Sequence, residues 1–281
     1  MSVLQAIVLG ITQGVTEFAP VSSSGHLILV PWLFGWTILN NPELNKTFDV
    51  ALHVGTLIGA VVYFRADLWR YLVAWFRSIR HRRIDAVDER IAWALVLGTI
   101  PGAIAGAAFE SVIQDRLGQP WLIAVMLAVF GVVLYAVDRA AAERKAFERI
   151  GVRDGIAMGL GQAVALQPGV SRSGITITVG RLLGLDRESA ARFSFLLAIP
   201  IIAGAGLYKG VELARNGLPP GMAGPFVAGT IAAAVSGFLA IWFLLGYLRR
   251  HTFAAFMWYR LAVAAIVVAV IALGLRPAGG L

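Results

Sequence analysis

Cysteine is absent from the 281-residue chain, and charged residues are scarce, at 14%. The first absence excludes a disulfide framework and a thiolate metal site. The second excludes an ordinary soluble domain, which is about a quarter charged. Instead, 58% of the residues are hydrophobic, and the mean hydropathy is +0.77. The composition therefore predicts a polytopic membrane protein, and the N-terminus lacks the basic flank of a removable signal peptide.

Six apolar runs are long enough to cross a bilayer, which takes about 20 residues. We predict transmembrane spans near residues 48–65, 91–109, 121–138, 190–209, 223–248 and 253–274. Two further apolar regions, 1–36 and 155–185, are interrupted in the middle by Gly, Ser and Pro. Each of these regions is predicted to form two short half-helices joined by a loop.

The net charge of +8 arises from Lys and Arg between the apolar runs, a distribution that indicates membrane topology rather than nucleic-acid binding. Residues 65–90 carry seven of them, residues 139–153 carry five and the 249–250 turn carries two, against four in the intervening loops. This excess predicts that the first set is cytoplasmic. Region 1–36 would then dip into the membrane from the outer side, and 155–185 from the cytoplasm.

An internal repeat relates the two interrupted regions. A shift of 149 residues aligns IVLGITQGVTEFAPVSSSG (7–25) with IAMGLGQAVALQPGVSRSG (156–174), and the identities include Gln, Ser and Gly. After a four-residue gap, residues 48–63 match 193–208. Chance similarity between Gly- and Ala-rich segments is the alternative, but the polar identities fall on the interrupted regions.

Each copy of the repeat holds one interrupted region and three spans, an odd number, so the copies should have opposite orientations. We predict an all-α polytopic membrane protein with six transmembrane helices and two re-entrant helical hairpins in an inverted-topology repeat. The chain, 1–281, would be a single membrane domain. Its first copy covers 1–138, with the hairpin at 1–36, and its second covers 155–274, with the hairpin at 155–185.

The loops of the two hairpins predict a polar site at the bilayer midplane. Irregular backbone at that depth needs protein or a water-filled cavity to satisfy its N–H and C=O groups, so the loops are expected to face each other. The candidate residues in and beside them are Gln13, Glu17, Ser22, Ser23, Ser24, His26, Ser171, Arg172, Ser173 and Thr176.

Arg172 is the strongest candidate, because a guanidinium in mid-membrane costs several kcal/mol unless it meets an anion or a cavity. Its planar fork of donors suits a phosphate, and glycines beside it let the backbone approach an anion. The alternative is that Arg172 pairs with Glu17 for structure alone. We predict a diphosphate cradle whose phosphate contacts are Ser22, Ser24, Ser171, Arg172, Ser173 and Thr176.

Chemistry in this cradle is assigned to Glu17, Ser23 and His26. His26 can shuttle a proton or attack phosphorus, although a structural hydrogen bond is the alternative. Glu17 could orient His26, bind a divalent cation or activate the nucleophile, or it could simply close a helix end. Ser23, which aligns with Arg172 in the repeat, is favoured over its neighbours as a reacting or phosphate-contacting hydroxyl.

Four further residues receive supporting assignments. Gln13 lies one turn before Glu17 on the same helix face. Asp49 and His53, at i and i+4 of the next span, form either a proton or ion site or a structural hydrogen bond. Arg260, inside the last span, is predicted to be a tertiary anchor.

The motifs QGVTEFAPVSSSGH (13–26) and QPGVSRSGITITVGRLLG (167–184) closely resemble the two signature regions of the undecaprenyl-diphosphate phosphatases, the bacitracin-resistance family. The resemblance covers nearly the whole chain. It implies a multi-pass enzyme of the inner membrane, with its site open to the periplasm, that hydrolyses undecaprenyl diphosphate to the monophosphate and orthophosphate. Such an enzyme recycles the lipid carrier for peptidoglycan synthesis and confers bacitracin resistance.

The resemblance also implies site residues, a cofactor and partners. The family's functional residues correspond here to Glu17, Ser23, His26, Ser171, Arg172 and Thr176. A divalent cation, Mg²⁺ or Ca²⁺, is expected, but many members have Glu at the position of Gln13, which puts in doubt a mechanism with two carboxylate ligands. The expected partners are a polyprenyl diphosphate lipid and membrane lipid, with no nucleic acid, and the chain could pair as a homodimer.

Other functional classes are weighed against this one. A lipid transporter or flippase is the main alternative, because inverted repeats with broken helices are typical of transporters. A structural membrane subunit would leave the buried Arg172 unexplained. Type 2 phosphatidic-acid phosphatases share a Ser-Gly-His element, but their third motif requires His where Thr178 stands.

Overall fold

The structure is a computed structural model that describes residues 1–36 and 42–279. Within these residues the chain forms ten α-helices and no β-strand. The helices are α1 Val3–Phe18, α2 Ser23–Phe34, α3 Pro42–His81, α4 Val87–Arg116, α5 Pro120–Ala140, α6 Val152–Val164, α7 Arg172–Leu182, α8 Arg187–Asn216, α9 Ala223–Leu248 and α10 Ala254–Ala272. A short 3₁₀ helix, Phe147–Arg149, lies between α5 and α6.

Six of the helices are long and apolar enough to cross a membrane. They contain the segments Leu44–His81, Val87–Ala108, Pro120–Ala140, Arg187–Val211, Ala223–Leu248 and Ala254–Ala272. Their outward faces carry exposed large apolar side chains such as Leu207, Trp242 and Phe243, as lipid-facing helices do. All six predicted spans are therefore confirmed, and the protein is a multi-pass membrane protein.

The helix α3 is longer than the sequence pattern predicts. We expect a span near 48–65 followed by a basic loop, but α3 continues to His81 and contains 40 residues. At 1.5 Å per residue it is about 60 Å long, roughly twice the thickness of a bilayer's hydrocarbon core. No Gly or Pro interrupts residues 65–81, so the helix continues through the arginines. The basic residues from Arg65 to Arg80 lie on this helical extension, and the loop prediction is wrong there.

The two interrupted regions form helix pairs, as predicted. The first pair is α1 and α2, of 16 and 12 residues, and the second is α6 and α7, of 13 and 11 residues. Each helix is shorter than the roughly 20 residues that a membrane crossing takes. Pro20 lies in the first break and Pro168 in the second, where their missing N–H groups remove helical hydrogen bonds.

Ser22 and Ser171, which the 149-residue shift aligns, have nearly the same local geometry. Both residues have positive φ, 74° for Ser22 and 76° for Ser171, which is uncommon for a residue other than glycine. Each caps the next helix, because its hydroxyl accepts the N–H of the residue three positions on, Gly25 or Gly174. The aligned polar residues therefore build matching turns at the starts of α2 and α7.

Close glycine contacts attach the first helix of each pair to a long helix. The helix α1 packs along α9 and α6 packs along α4. A Cβ on Gly10 would lie 2.3 Å from the carbonyl oxygen of Gly229, and one on Gly159 would lie 2.0 Å from that of Gly98. Small residues at such contacts let helix backbones approach closely in membranes. Gly10 and Gly159 are also aligned by the 149-residue shift, so the two packing contacts correspond.

Candidate active site

The loops between the paired helices touch each other. The N–H of Gly169 in the second loop donates to the Ser22 hydroxyl at 2.9 Å. The Ser173 hydroxyl donates to the carbonyl oxygen of Ala19 at 3.0 Å. Both bonds join backbone of one loop to a side chain of the other segment. The expectation that the two loops face each other is therefore confirmed.

A cavity of about 280 Å³ lies beside the contact between the loops. It is bounded by polar residues from both helix pairs and by side chains of α3 and α8. Its walls contain Glu17, Ser22, Ser23, Ser24, Val50, His53, Ala165, Ser171, Arg172, Ile201, Ile202, Ala205 and Gly206. An adjoining cavity of about 560 Å³ shares Arg172 with it and extends between α4 and α8. Seven of the thirteen residues that line the first cavity, the polar cavity, are polar or charged, whereas mainly small or apolar side chains line the second.

Glu17 lies in the wall of the polar cavity and accepts hydrogen bonds from several side chains. Its Oε2 accepts the Ser23 hydroxyl at 2.5 Å and the Gln13 amide at 2.9 Å. Its Oε1 accepts Nη2 of Arg172 at 2.6 Å. Nε2 of His53 lies 3.5 Å from Oε2. One carboxylate from the first helix pair therefore contacts a serine, a cation and an amide, and can accept a proton from the serine.

The alternative anticipated for Arg172, a pair with Glu17, is present in the structure. The Arg172 side chain is 17% exposed and that of Glu17 is 4% exposed, so the pair is largely removed from solvent. Nη2 makes this contact, and among the described residues the buried Nη1 has no hydrogen-bond partner. Arg172 also lines both cavities. The ion pair therefore leaves guanidinium donors unused beside a space that an anion could enter.

The three consecutive serines have different environments. Ser22 is buried and binds Gly25 and Gly169 through its hydroxyl. Ser23 is half-buried, and its hydroxyl donates to Glu17. Ser24 is exposed and lines the cavity. Ser23 is therefore the serine with a carboxylate in position to take its proton.

His26 is turned away from the cavity, although it is one turn from Ser22. Its Nδ1 lies 2.8 Å from the Ser22 carbonyl oxygen, and its Nε2 lies 2.9 Å from the Tyr259 hydroxyl. Because a carbonyl can only accept, Nδ1 carries a hydrogen, and in a neutral ring Nε2 accepts from Tyr259. The lone pair that a nucleophilic histidine would use is thus occupied. This geometry matches the structural hydrogen bond anticipated as the alternative.

Besides Ser22, three more of the predicted phosphate contacts have hydroxyls that already bond to the protein. The Ser171 hydroxyl caps α7 but lines the cavity. Ser173 donates to Ala19 and is 2% exposed. Thr176 donates to the Arg172 carbonyl at 2.8 Å and lies 2.6 Å from the Ser194 hydroxyl. Ser173 and Thr176 therefore stabilise the start of α7 through contacts within the protein, and they do not line the cavity.

Of the supporting residues, Gln13 and His53 contact Glu17, and Asp49 contacts His53. Gln13 is fully buried and donates to Glu17. His53 lines the cavity, and its Nδ1 bonds the backbone carbonyl of Asp49 at 2.7 Å. The expected i, i+4 contact thus involves the Asp49 backbone, and the ring of His53 faces Glu17. His53 joins the site more directly than its sequence position indicated.

Two contacts of the site have no counterpart in the predictions. Tyr259, which bonds His26, lies 233 residues away in the chain, and Ser194, which bonds Thr176, lies in α8. No local pattern marks either residue, because tertiary packing alone brings them together. Arg260, in contrast, stood out as a charge in an apolar run, and its role as a tertiary anchor is confirmed by its hydrogen bonds to Leu127 and Pro20.

A resident metal cage is not evident around the site. Among the described residues, no group of three or more His, Asp or Glu could hold a metal ion. Glu17 is the carboxylate in the cavity wall. Magnesium is commonly held by one or two carboxylates together with substrate phosphates and water. The residues therefore fit a cation that binds together with a phosphorylated ligand.

Comparison with known proteins extends the match beyond the motifs. The family model described as "Bacitracin resistance protein BacA" matches residues 6–266. A Moorella thermoacetica protein named undecaprenyl-diphosphatase is 48% identical over 96% of this chain and 98% of its own length. Proteins of that name from Geobacter sulfurreducens and Pelobacter propionicus are 46% and 44% identical, over 96% and 98% of this chain and 98% and 99% of their own lengths. Because the family model matches residues 6–266 and these relatives align over nearly their whole length, the chain belongs to the bacitracin resistance protein BacA family.

Proposed function

We propose that the protein hydrolyses undecaprenyl diphosphate to undecaprenyl phosphate and orthophosphate. The contact that carries this proposal is the Ser23 hydroxyl, which donates to Glu17 at 2.5 Å beside Arg172. A nucleophile, a base and a cation at one cavity form the constellation that phosphoryl transfer requires. The reaction recycles the lipid carrier of peptidoglycan synthesis, and a higher level of the enzyme confers bacitracin resistance.

Ser23 is the nucleophile of this proposal. Its Oγ attacks the terminal phosphorus, the bond between that phosphorus and the bridging oxygen breaks, and the lipid monophosphate leaves. Glu17 takes the Ser23 proton and passes it to the departing phosphate. Water then attacks the phosphoserine, and Glu17 takes a proton from the water and returns it to Ser23 Oγ as orthophosphate leaves.

Arg172 and the loop groups stabilise charge during both steps. As negative charge develops on the transferring phosphoryl oxygens, the hydrogen bonds that they accept from preorganised donors become stronger. Arg172 can turn its unused Nη1 and its Nη2 toward the phosphate, while Ser24 and Ser171 line the same space. His26 holds the Ser22 carbonyl and thus the start of α2, on which Ser23 sits.

A divalent cation, Mg²⁺ or Ca²⁺, fits this site as a co-ligand of the diphosphate. Glu17 would hold it together with phosphate oxygens, and the cation would neutralise charge on the diphosphate. Gln13 donates to Glu17, so it orients the carboxylate and does not supply a second one. Polyprenyl diphosphate and membrane lipid are the proposed partners, and the head group alone enters the polar cavity.

We also propose that the helix pairs are re-entrant hairpins in an inverted repeat, covering 1–138 and 155–274. The matching turns at Ser22 and Ser171 support this arrangement. The corresponding contacts of Gly10 with α9 and of Gly159 with α4 support it too. In each case the hairpin of one copy packs on a long helix of the other copy, as the exchange of equivalent partners in a two-fold repeat requires.

The site is proposed to open to the periplasmic side of the inner membrane. The larger cavity is lined by Lys46 in the first turns of α3 and by Lys209 near the end of α8. The arginine-rich extension lies at the other end of α3. Because basic residues concentrate on the cytoplasmic side, the cavity lies toward the opposite side.

Phosphate release from a prenyl diphosphate by the purified protein tests the proposal. Wild-type protein should release orthophosphate in detergent with Mg²⁺ or Ca²⁺, and Arg172→Ala should abolish release while the protein remains folded. Arg249→Ala is the matched control, because Arg249 pairs with Glu188 at the exposed turn after α9. Retained turnover in Arg172→Ala would exclude the proposed role of Arg172 in binding the diphosphate. Lipid movement across vesicles without phosphate release would instead favour the transporter class.

A further inference from the structure

Arg260 is fully buried in α10, yet it lies outside the cavity wall. Its exposed fraction is 0%, and every hydrogen bond that it makes within the described residues goes to a backbone carbonyl oxygen. These carbonyls belong to Pro20, Met126, Leu127, Gly169 and Val170.

The five carbonyls come from three separate segments of the chain. Nη1 donates to Pro20 in the first loop at 3.0 Å. Nη2 donates to Gly169 and Val170 in the second loop, at 2.7 and 3.1 Å. Nε donates to Leu127 of α5 at 2.9 Å. One rigid guanidinium therefore connects both loops to each other and to a long helix.

These loop carbonyls need such a donor because the loops are not helical. Buried backbone groups that lack a hydrogen bond carry a free-energy cost. Pro20 lies two residues before Ser22, and Gly169 lies two residues before Ser171. The positions of the two capping serines, and of Ser23 and Arg172 next to them, thus depend on carbonyls that Arg260 holds.

We propose that Arg260 is a positioning residue that sets the distance between the two loops and thereby aligns Ser23 with Arg172. The inference rests on the proposed hydrolysis, since it assigns a role in that reaction. A displacement of about 1 Å of reacting groups can cost on the order of 100-fold in rate. The planar fork is essential to this role, because lysine offers the charge without the fixed geometry of five donors.

The test compares Arg260→Lys with Arg181→Lys. Arg181 is 1% exposed and also donates to backbone carbonyls, including that of Leu185 at 2.6 Å, but it lies at the far end of α7. Both variants keep a positive charge and lose the fork. Relative to folded protein measured by thermal melting in detergent, Arg260→Lys should lower kcat by about 100-fold with little change in KM. Arg181→Lys should stay within about threefold of wild type.

A second readout does not depend on turnover. Amide hydrogen exchange of the non-proline residues in 19–22 and 168–171 should increase in Arg260→Lys and remain at the wild-type rate in Arg181→Lys. Equal kcat values for the two variants, or unchanged exchange in both loops, would overturn the inference. If Arg260→Lys cannot be recovered folded while Arg181→Lys can, Arg260 acts in folding and the assignment is also overturned. Wild-type protein that releases no phosphate would instead refute the proposed hydrolysis.

Discussion

The Ser22 hydroxyl accepts the N–H of Gly169, 147 residues away in the chain, at 2.9 Å. The same hydroxyl accepts the N–H of Gly25 and so caps α2. The Ser22 hydroxyl oxygen therefore caps the N-terminus of α2 and also binds the loop between α6 and α7. This double role couples the position of Ser23, the next residue, to the loop that carries Arg172.

Ser23→Ala should lower turnover of a prenyl diphosphate by at least about 10³-fold, because it removes the proposed nucleophile. The measurement is phosphate release, together with a search for phosphate on the peptide that contains Ser23 after rapid quenching of wild-type protein. Thr12→Ala is the control, since among the described residues the Thr12 hydroxyl bonds within α1, to Val8 at 2.8 Å. Activity above a tenth of wild type in Ser23→Ala would exclude a serine nucleophile.

Gln13→Glu should make the protein depend more strongly on divalent cations. The Gln13 amide now donates to Glu17 at 2.9 Å, so a carboxylate there would lose the bond and repel Glu17, at a cost of about 1–3 kcal/mol without metal. A cation between the two carboxylates offsets that cost. The Mg²⁺ concentration for half-maximal activity should therefore fall about tenfold, as an added carboxylate strengthens such sites.

Gln162→Glu is the matched control for that experiment, because the 149-residue shift aligns Gln162 with Gln13 and its amide bonds Gly98. Thermal melting with and without Mg²⁺ should show stabilisation by the metal in Gln13→Glu alone. The same metal dependence in both variants would contradict a cation at Glu17.

Tyr259→Phe should lower kcat by about three- to tenfold, because it removes one hydrogen bond, worth about 1 kcal/mol, from His26. His26→Asn should lose more activity than this but less than Ser23→Ala, since His26 positions α2 without reacting. Tyr247→Phe is the control, because Tyr247 lies in the last turn of α9 and stacks on His251, with the two ring centroids 4.3 Å apart. If His26→Asn were as inactive as Ser23→Ala and Tyr259→Phe were fully active, His26 would be the nucleophile instead.

Gly159→Ala should destabilise the protein by about 1–3 kcal/mol or more, because its Cβ would lie 2.0 Å from the Gly98 carbonyl oxygen. Gly246→Ala should be neutral or stabilising by up to about 1 kcal/mol, because nothing lies within 4 Å of a Cβ there. The check is thermal melting of both variants in the same detergent. Equal melting temperatures would contradict the close packing of α6 on α4.

The parts of the fold that depend on local pattern were predictable. Six apolar runs and two breaks at Pro and Gly define the ten helices closely, because length and hydropathy determine what a bilayer accepts. The C-terminal end of α3 was not predictable. No Gly or Pro follows Arg65 before His81, so the helix continues past its apolar run. An amphipathic or charged continuation of a span carries no hydropathy signal.

The sequence predicts the site residues whose polarity or charge differs from that of their neighbours. It does not predict the orientation of side chains that depends on tertiary contacts. Arg172 and Glu17 stand out as charges in apolar regions, and both lie in the cavity wall. The side on which His26 faces depends on Tyr259, and the burial of Thr176 depends on Ser194. Those partners come from other helices, so the spacing of the motifs could not reveal them.

The Arg172–Glu17 contact also bears on how the enzyme avoids the bulk lipids around it. Any lipid head group with one negative charge is a potential competitor of the diphosphate for the Arg172 guanidinium. Because Glu17 already occupies Nη2 at 2.6 Å, a visiting monoanion gains little by displacing it. A pyrophosphate, with more charge over two linked groups, gains more, so we expect the resting ion pair to favour a diphosphate over a head group with a single charge.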